Sequence, residues 1–203
     1  MDRILKKRTK IQQGRIASPK AIAALVSPAR QEIIDTVEAL GGEATVVELA
    51  AQLGRPADGL YYHLRPLVKA GLLVHGDDPE ADRYRTPSRT ALSIDYDPAN
   101  ARAVKRVVAS MLRIAKRDFD AAFAIPGVAV RGPRRALWAG RGKGWVSPAE
   151  LAEINALLAR ITSILRKPRA KGRTQLVSLC FVLAPIRPRS PRRSGGASPR
   201  RTS

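Results

Sequence analysis

The stretch from Thr45 to Leu73 constrains the fold of this chain most, because its pattern predicts two short helices joined by a tight turn. Thr45 and Glu48 have the spacing of an N-terminal capping box, and Gly54 stands where a helix ends in the left-handed conformation. The first helix should therefore begin after Thr45 and stop before Gly54. Its predicted buried side consists of Val46, Val47, Leu49, Ala50 and Leu53.

The second helix of this pair follows Pro56, which favours a helix start, and it has two distinct faces. Apolar residues recur at i, i+4, i+7 and i+8 and predict a core-facing stripe of Leu60, Leu64, Leu67 and Val68. The opposite face is polar and consists of Asp58, Tyr62, Arg65 and Lys69, with Tyr61 at its edge. Arginine can bond guanine or phosphate, lysine neutralises phosphate, and tyrosine offers a hydroxyl and a flat ring. This face predicts a surface that reads DNA.

The run Tyr62-His63-Leu64-Arg65, with its exit turn Ala70-Gly71-Leu72-Leu73, resembles the recognition helix of ArsR-like winged-helix transcriptional regulators. Together with the preceding ELAAQLG the resemblance covers about thirty residues, and it extends more loosely over 27–89. It implies a winged helix-turn-helix that places its second helix in the major groove of double-stranded DNA. The alternative is an ordinary antiparallel helix pair within an all-helical domain. A strand and a hairpin predicted on either side favour the DNA-binding interpretation.

The hairpin predicted after the helix pair would form the wing. Residues 72–75 and 83–86 have strand patterns, and the turn-rich sequence GDDPEAD lies between them. The resemblance places this wing beside the duplex, so Arg83, Arg85 and Arg89 are expected to contact phosphates. The alternative is a solvated hairpin edge, whose cations resist aggregation.

Two helices and a strand are predicted before the helix pair. Ser18-Pro19 and Ser27-Pro28 each place an N-cap residue before a proline at the first helical position. The second of these helices should end at Gly41-Gly42, and 43–45 should form a short strand. The predicted buried residues of that helix are Ile33, Ile34, Val37 and Leu40.

After a short strand predicted at 91–96, a long helix is expected from 98 to about 124. Its apolar face is longer than one small domain can cover, so a dimer partner or a second layer is needed. The residues assigned to dimerisation are Val104, Val108, Met111, Leu112 and Phe119.

Three further features are predicted between 126 and 183. Residues 126–146 suggest a β-hairpin, and the GRGKG within them lacks the spacing of a phosphate-binding loop. Ser147 and Glu150 form a second capping box, which opens a helix with an apolar inner side, and 174–183 predicts a buried strand. Four aromatic residues are candidates for an organic-ligand pocket, with plain core as the alternative: Phe119, Phe123, Trp138 and Trp145.

The formal net charge of +20 is concentrated in two segments. Residues 1–20 carry +6 and residues 166–203 carry +11, whereas 21–165 carry only +3. The two basic segments predict nonspecific attraction for polyanions. The alternative is that they are disordered, solubilising polypeptide.

Residues that carry catalysis or bind metals are few, and no enzyme, metal site or cofactor is predicted. The chain has two histidines and one cysteine, and none of the common hydrolase or zinc motifs. The helix before the turn lacks the cysteines of metal-sensing ArsR relatives. His63 is open between a DNA contact and a packing role, and Cys180 is expected to be an inert core thiol. The lack of a long apolar run or a leader pattern predicts a cytoplasmic protein without membrane association.

These observations predict an α+β fold, mainly α, with an N-terminal winged helix-turn-helix and a C-terminal helix/strand region for dimerisation or sensing. The predicted divisions are a basic arm at 1–17, the DNA-binding domain at 18–96, a dimerisation or effector domain at 97–185 and a disordered tail at 186–203. The predicted function is a sequence-specific, dimeric transcriptional regulator, a repressor by default, with a small-molecule effector left open. The alternative is a nonspecific nucleic-acid packaging or RNA-binding protein that acts through its basic tails.

Overall fold

A computed structural model describes residues 15–76, 82–87, 93–167 and 169–187. The chain is mainly helical, with two small sheets, and this α+β architecture confirms the predicted fold class. The strands are β1 (Arg15–Ile16), β2 (Glu43–Thr45), β3 (Val74–His75), β4 (Arg83–Arg85) and β5 (Ser93–Ile94). The helices are α1 (Pro19–Ala24), α2 (Pro28–Ala39), α3 (Val46–Leu53), α4 (Ala57–Lys69), α5 (Ala101–Ala122) and α6 (Pro148–Leu165), and a 3-10 turn, Pro98–Asn100, precedes α5.

The core forms where α4 packs against α2 and α3. Leu60, Leu64 and Leu67 of α4 are fully buried there, as the apolar stripe predicts, and Val68 lies at the edge of the same cluster. From α2, Ile33 and Val37 are fully buried and Ile34 nearly so, while Leu40 is partly covered. Because one side of α4 is used for this packing, its opposite side faces outward.

A three-stranded antiparallel sheet lies beside the helix pair in the order β2-β4-β3. Strand β4 is central, so Arg85 faces Glu43 of β2 on one side and Val74 of β3 on the other. This arrangement, with β2 before the helix pair and the β3–β4 hairpin after it, confirms the predicted winged helix-turn-helix. The predicted loop of the hairpin, 77–81, and Arg89 lie outside the described residues.

Helix starts and stops follow the predicted signals closely. The Glu48 N–H donates to Thr45 Oγ1 at 3.2 Å and the Glu48 carboxylate accepts from the Thr45 N–H at 2.8 Å, which completes the capping box. Gly54 ends α3 with φ +61°, a conformation that costs a residue with a Cβ atom more than glycine. Ser18 and Ser27 occupy the N-cap positions of α1 and α2, although neither side chain makes a capping hydrogen bond. Proline at the first helical position is therefore the effective signal at those two starts.

One prediction for α3 is wrong. Val47 is 74% exposed, because the second residue of α3 points away from α2 and α4, whereas Val46 and Leu49 are buried. Ala50 and Leu53 are partly buried against the same core. The buried side of this helix is therefore narrower than its apolar sequence pattern predicts.

Helix α5 belongs to the same core over its first half. It packs on α1 and α2, buries Val107, and the Gln31 amide of α2 donates to the Val107 carbonyl at 3.3 Å. Strand β1 pairs in parallel with β5 just before it, with Ile16 opposite Ile94. Residues 15 and 16 of the predicted basic arm are thus a strand, and the rest of that arm lies outside the described residues. The division at 96/97 stays a prediction.

Residues 124–147 do not form the predicted β-hairpin. The described chain there has turns but no strand, and the 2.6 Å bond from the Ala136 N–H to the Ala129 carbonyl is an isolated one. The prediction of a buried strand at 174–183 is wrong as well, because this segment is extended, largely exposed and unpaired with any strand of the described chain. Both sequences are rich in strand formers, but strand formation requires a neighbouring backbone.

Helix α6 forms where predicted, with a complete capping box between Ser147 and Glu150. It buries none of its residues, however, and Leu157 and Ile161 are exposed although an inward position was predicted for them. An ion pair of 2.8 Å between Arg166 and Glu38 connects the end of α6 to α2. Among the described helices, none is both long and apolar enough to cross a membrane.

Replacement of Thr45 by alanine should lower the free energy of unfolding by about 1 kcal/mol, since the capping hydroxyl that satisfies the Glu48 N–H is lost. Thr45→Ser keeps the hydroxyl and should stay close to the wild type. Urea denaturation followed by circular dichroism measures both changes. Equal stability of the alanine and serine variants would show that the box contributes nothing to this fold.

Candidate nucleic-acid interface

The outward face of α4 presents four polar side chains on one side of the helix. Asp58, Tyr62, Arg65 and Lys69 are all exposed, and Tyr62 reaches 76%. The three charged side chains make no hydrogen bond or ion pair with the described part of the chain, so their charges are available to a ligand. The structure therefore places these four predicted residues together.

The wing strand β4 alternates between two environments. Tyr84 is buried beneath the sheet, whereas Arg83 and Arg85 flank it and point to the other face. Arg83 pairs with Glu43 at 3.2 Å, a contact between two exposed groups that water screens. Arg85 is exposed and has no ion pair with any described residue. The two predicted wing arginines thus differ in how free they are to meet a phosphate.

Tyr61 has a different role from its exposed neighbour Tyr62. Its ring is partly buried, and its hydroxyl donates to the Asp82 carboxylate at the base of the wing. The hydroxyl is therefore occupied within the chain. Sequence reasoning placed Tyr61 at the edge of the DNA-binding face and did not identify this bond.

Asp82 joins the wing to both helices of the pair. Its carboxylate accepts from Tyr61 of α4 and lies 2.9 Å from Nε2 of His75 in β3. Its backbone carbonyl accepts from the first N–H of α3, that of Val46, at 3.2 Å. Asp82 also has φ +36°, and no other non-glycine residue in the described chain has a positive φ. An aspartate tolerates this conformation better than most residues, and the surrounding bonds hold it there.

The pKa values around Asp82 reflect the same contacts. The hydrogen bond from Tyr61 lowers the pKa of Asp82, and the bond to His75 adds to the effect, because both stabilise the carboxylate. Burial together with the negative charge of Asp82 raises the pKa of Tyr84 to about 12. At neutral pH the site therefore contains an ionised Asp82 surrounded by neutral tyrosines.

His63 lies on the side of α4 between the buried and exposed faces. Its ring meets that of Tyr62 edge to face at 5.1 Å between centroids. Burial, followed by the charges of Arg30 and Arg55, lowers the pKa of His63, so the ring is neutral at pH 7. Its Nδ1 is buried and has no hydrogen-bond partner among the described residues. Both predicted roles, packing and DNA contact, stay open.

A contact that sequence reasoning missed fixes the turn before α4. Glu32 of α2 pairs with Arg55 of this turn at 2.8 Å and with Arg117 of α5 at 2.6 Å. The Glu32 side chain is only 12% exposed, so its charge is shielded from water and depends on the two arginines. Arg55 lies 23 residues and Arg117 lies 85 residues after Glu32 in the chain, so no short-range pattern predicts this pair of contacts. It connects α5 mechanically to the start of α4.

The residues predicted to form the dimer interface differ in how far they are exposed. Val104 lies in the core of its own chain and is not exposed to a partner, which corrects its assignment to a dimer surface. Val108, Met111 and Phe119 are half-buried, and Leu112 is exposed.

The four aromatic residues of the predicted ligand pocket do not all contact one another through their rings in the described chain. The rings of Phe119 and Phe123 meet edge to face, with 5.3 Å between their centroids. The guanidinium carbon of Arg135 lies 3.5 Å from the centroid of the Trp138 ring. Trp145 is 91% exposed. The described residues also contain no group of three or more His, Cys, Asp or Glu side chains placed to hold a metal ion.

Part of the chain matches a known family of domains. Residues 25–76, from the end of α1 to the end of β3, match the model of the helix-turn-helix domain family. The matched stretch contains both helices of the pair and excludes α5 and α6. No curated protein matches the chain. The fold and this match together show a helix-turn-helix domain within the chain, which supports a role in DNA binding.

Asp82→Asn should lower the thermal midpoint at neutral pH, because asparagine cannot offer an ionised acceptor to Tyr61 and His75. Asparagine also tolerates positive φ, so the backbone effect is small. The lowered pKa of Asp82 stabilises the fold above the ordinary value near pH 4, and this contribution is lost as the pH falls through the lowered value. The difference between the two proteins should thus be constant from pH 7 to about pH 4 and should narrow below that.

Tyr61→Phe is the matched control for this measurement, since it keeps the ring and removes only the hydroxyl donor. The double variant should lose less stability than the two single losses added together, because both changes remove the same bond. Strict additivity would mean that Asp82 and Tyr61 act independently.

Proposed function

We propose that this chain is a sequence-specific transcriptional regulator of the ArsR-like winged-helix type, which binds double-stranded DNA as a homodimer and represses by occluding a promoter. The observation that carries the proposal is the outward face of α4. Tyr62, Arg65 and Lys69 stand there exposed, and neither cation has an ion pair or hydrogen bond with the described residues, while the leucines on the other side fix the helix. Such a face fits the major groove, where arginine reads guanine and lysine meets phosphate.

The wing supplies the second part of the proposed DNA contact. Asp82 ties it to α4 through Tyr61, which joins the strand that carries Arg85 to the helix that carries Arg65 and Lys69. Arg85 would meet a backbone phosphate beside the groove that α4 enters. Asp58 lies on the same face, where a carboxylate can accept from the amino group of cytosine.

The dimer is proposed from the second half of α5 and from α6, which leave apolar side chains uncovered. Leu112 is exposed, Met111 and Phe119 are only half-covered, and Leu157 of α6 is exposed. In a two-fold symmetric dimer the two α4 helices would enter successive major grooves about 34 Å apart. An operator with two inverted half-sites follows from that symmetry.

Regulation would act through the spacing of the two α4 helices. Glu32 joins α5 to the turn before α4, so a shift of α5 at the dimer interface would move Arg55 and the start of α4. An organic effector near Phe119 and Phe123 stays a prediction. The coupling itself needs only that an effector bind one spacing better than the other.

Selection of bound sequences from a random DNA pool, followed by titration of the enriched site, tests the function. Arg65→Ala should weaken binding to that site by about 1–3 kcal/mol and relax the base preference at one position of each half-site. Lys69→Ala should weaken binding to all sequences alike and reduce the salt slope by about one unit for each copy. Lys105→Ala, an exposed cation of α5, is the matched control and should have little effect. A pool that yields no enriched sequence would contradict the proposal.

A packaging or RNA-binding protein is the second candidate, and the charge distribution favours it. Residues 1–20 and 166–203 together carry +17 of the net +20. Removal of 1–14 and 188–203 separates the two candidates. A regulator should keep its base preference and lose mainly salt-dependent affinity, whereas a packaging protein should lose binding altogether.

A further inference from the structure

Exposed large apolar side chains are concentrated in one part of the described chain. Eighteen of the twenty-one lie between Leu112 and Ile186, each between 38% and 91% exposed. Side chains of this size present on the order of 1,000 Å² in total, whereas a monomer rarely exposes a contiguous patch of more than a few hundred. A stable interface needs about 800 Å² from each partner. This region has enough apolar surface for one.

Seven of these side chains belong to a single extended segment, 174–186, which we name the C-terminal segment. They are Leu176, Val177, Leu179, Phe181, Val182, Leu183 and Ile186. The backbone N–H and C=O groups of the segment make no hydrogen bond with the described residues. Extended apolar backbone with open hydrogen-bonding groups is the feature by which strands add to one another.

The position of the segment is fixed by the residues before it. Arg166 pairs with Glu38 of α2, and the Arg173 guanidinium donates to the Ile164 carbonyl at 3.0 Å. Burial, together with the nearby charge of Asp35 on α2, raises the pKa of the Cys180 thiol, so the segment runs beside α2. One side of it is covered in part by its own chain, and the rest is open.

Charge decides which partner fits the C-terminal segment. The thirteen residues 174–186 contain no charged side chain, while cations lie on both sides at Arg173 and Arg187. Residues 128–146 carry five cations, so two copies of that stretch would repel each other. The C-terminal segment has no charge and has apolar side chains on both faces, so two copies of it can pair without repulsion.

We propose that the C-terminal segment of one copy pairs with the C-terminal segment of a second copy as antiparallel β-strands. The two copies would then share a two-stranded sheet. This inference rests on the dimer of the proposed function and names the strand that completes it. The two-fold axis passes through the segment, and the apolar side chains from Leu176 to Leu183 of the two copies pack against one another along it.

Proline substitutions in the full chain test the pairing. Leu179→Pro and Val182→Pro each remove an N–H that bonds to none of the described residues, so neither should change the fold of a single copy. Their N–H groups point to opposite edges of the strand, so at least one of them must face the partner. That variant should raise the dimer dissociation constant by roughly tenfold or more in sedimentation, because two ladder bonds are lost. Ala170→Pro, outside the segment, is the matched control and should leave the constant unchanged.

A cysteine scan locates the axis. In a Cys180→Ser background, one cysteine at a time is placed at each position of 176–183. The yield of disulfide-linked dimer should be high at the position where a residue faces its own copy across the axis. The yield should be much lower two or three residues away from that position. Facing residues of antiparallel strands have Cα atoms about 4.5–5.5 Å apart, within the range that a disulfide spans.

The outcomes separate this inference from the proposed function. A wild-type dimer whose dissociation constant neither proline changes, and whose scan gives no peak, overturns the strand pairing and leaves the α5–α6 dimer standing. A wild-type monomer at micromolar concentration overturns the pairing and the dimer together. Base preference in the DNA selection is measured independently, and it tests the proposed function as a regulator without reference to the strand pairing.

Discussion

Burial of one side of α4 is the constraint on which the rest of the structure depends. Leu60, Leu64 and Leu67 fill the space between α2 and α3, and this packing turns the polar side of the helix outward. The packing also tolerates Pro66, which lies inside the helix and cannot donate to the carbonyl of Tyr62. An interior proline costs about 3 kcal/mol, and each buried leucine contributes roughly 1.5–3 kcal/mol, so the stripe outweighs the defect. The helix is therefore continuous from Ala57 to Lys69.

Two carboxylates transmit the position of α4 to its surroundings. Asp82 connects it to the wing through Tyr61, and Glu32 connects the turn before it to α5 through Arg55 and Arg117. Glu32 is shielded enough that its charge would be costly without the two arginines, whereas the more exposed Asp82 is held mainly by its hydrogen bonds. The wing and α5 are thus both connected to the N-terminal part of the helix that carries the proposed DNA contacts.

The chain separates its charge from its apolar surface. Most of its net charge lies outside 21–165, whereas the exposed apolar side chains lie between 112 and 186. The cationic segments attract any polyanion, and this attraction falls with salt. Base preference in the proposed regulator would come from the few groups on α4, where net charge is small. The uncharged C-terminal segment suits the proposed contact with a second copy, because it adds apolar surface without repulsion.

Short-range patterns in the chain are enough to predict the local elements of the winged helix. The capping boxes at Thr45 and Ser147, the left-handed Gly54 and the leucine stripe of α4 are short-range signals, so they predicted helix limits and the buried side correctly. Contacts between residues distant in the chain have no such local pattern and became visible only in the folded molecule. The hydrogen bonds of Asp82, the ion pairs of Glu32 and the burial of Val104 depend on which elements become neighbours.

The strand predicted at 174–183 does not form for the same reason. The β-propensity is a property of a residue, whereas a strand requires a partner backbone. Val47 was misassigned because apolar character alone does not state which side of a helix meets the core.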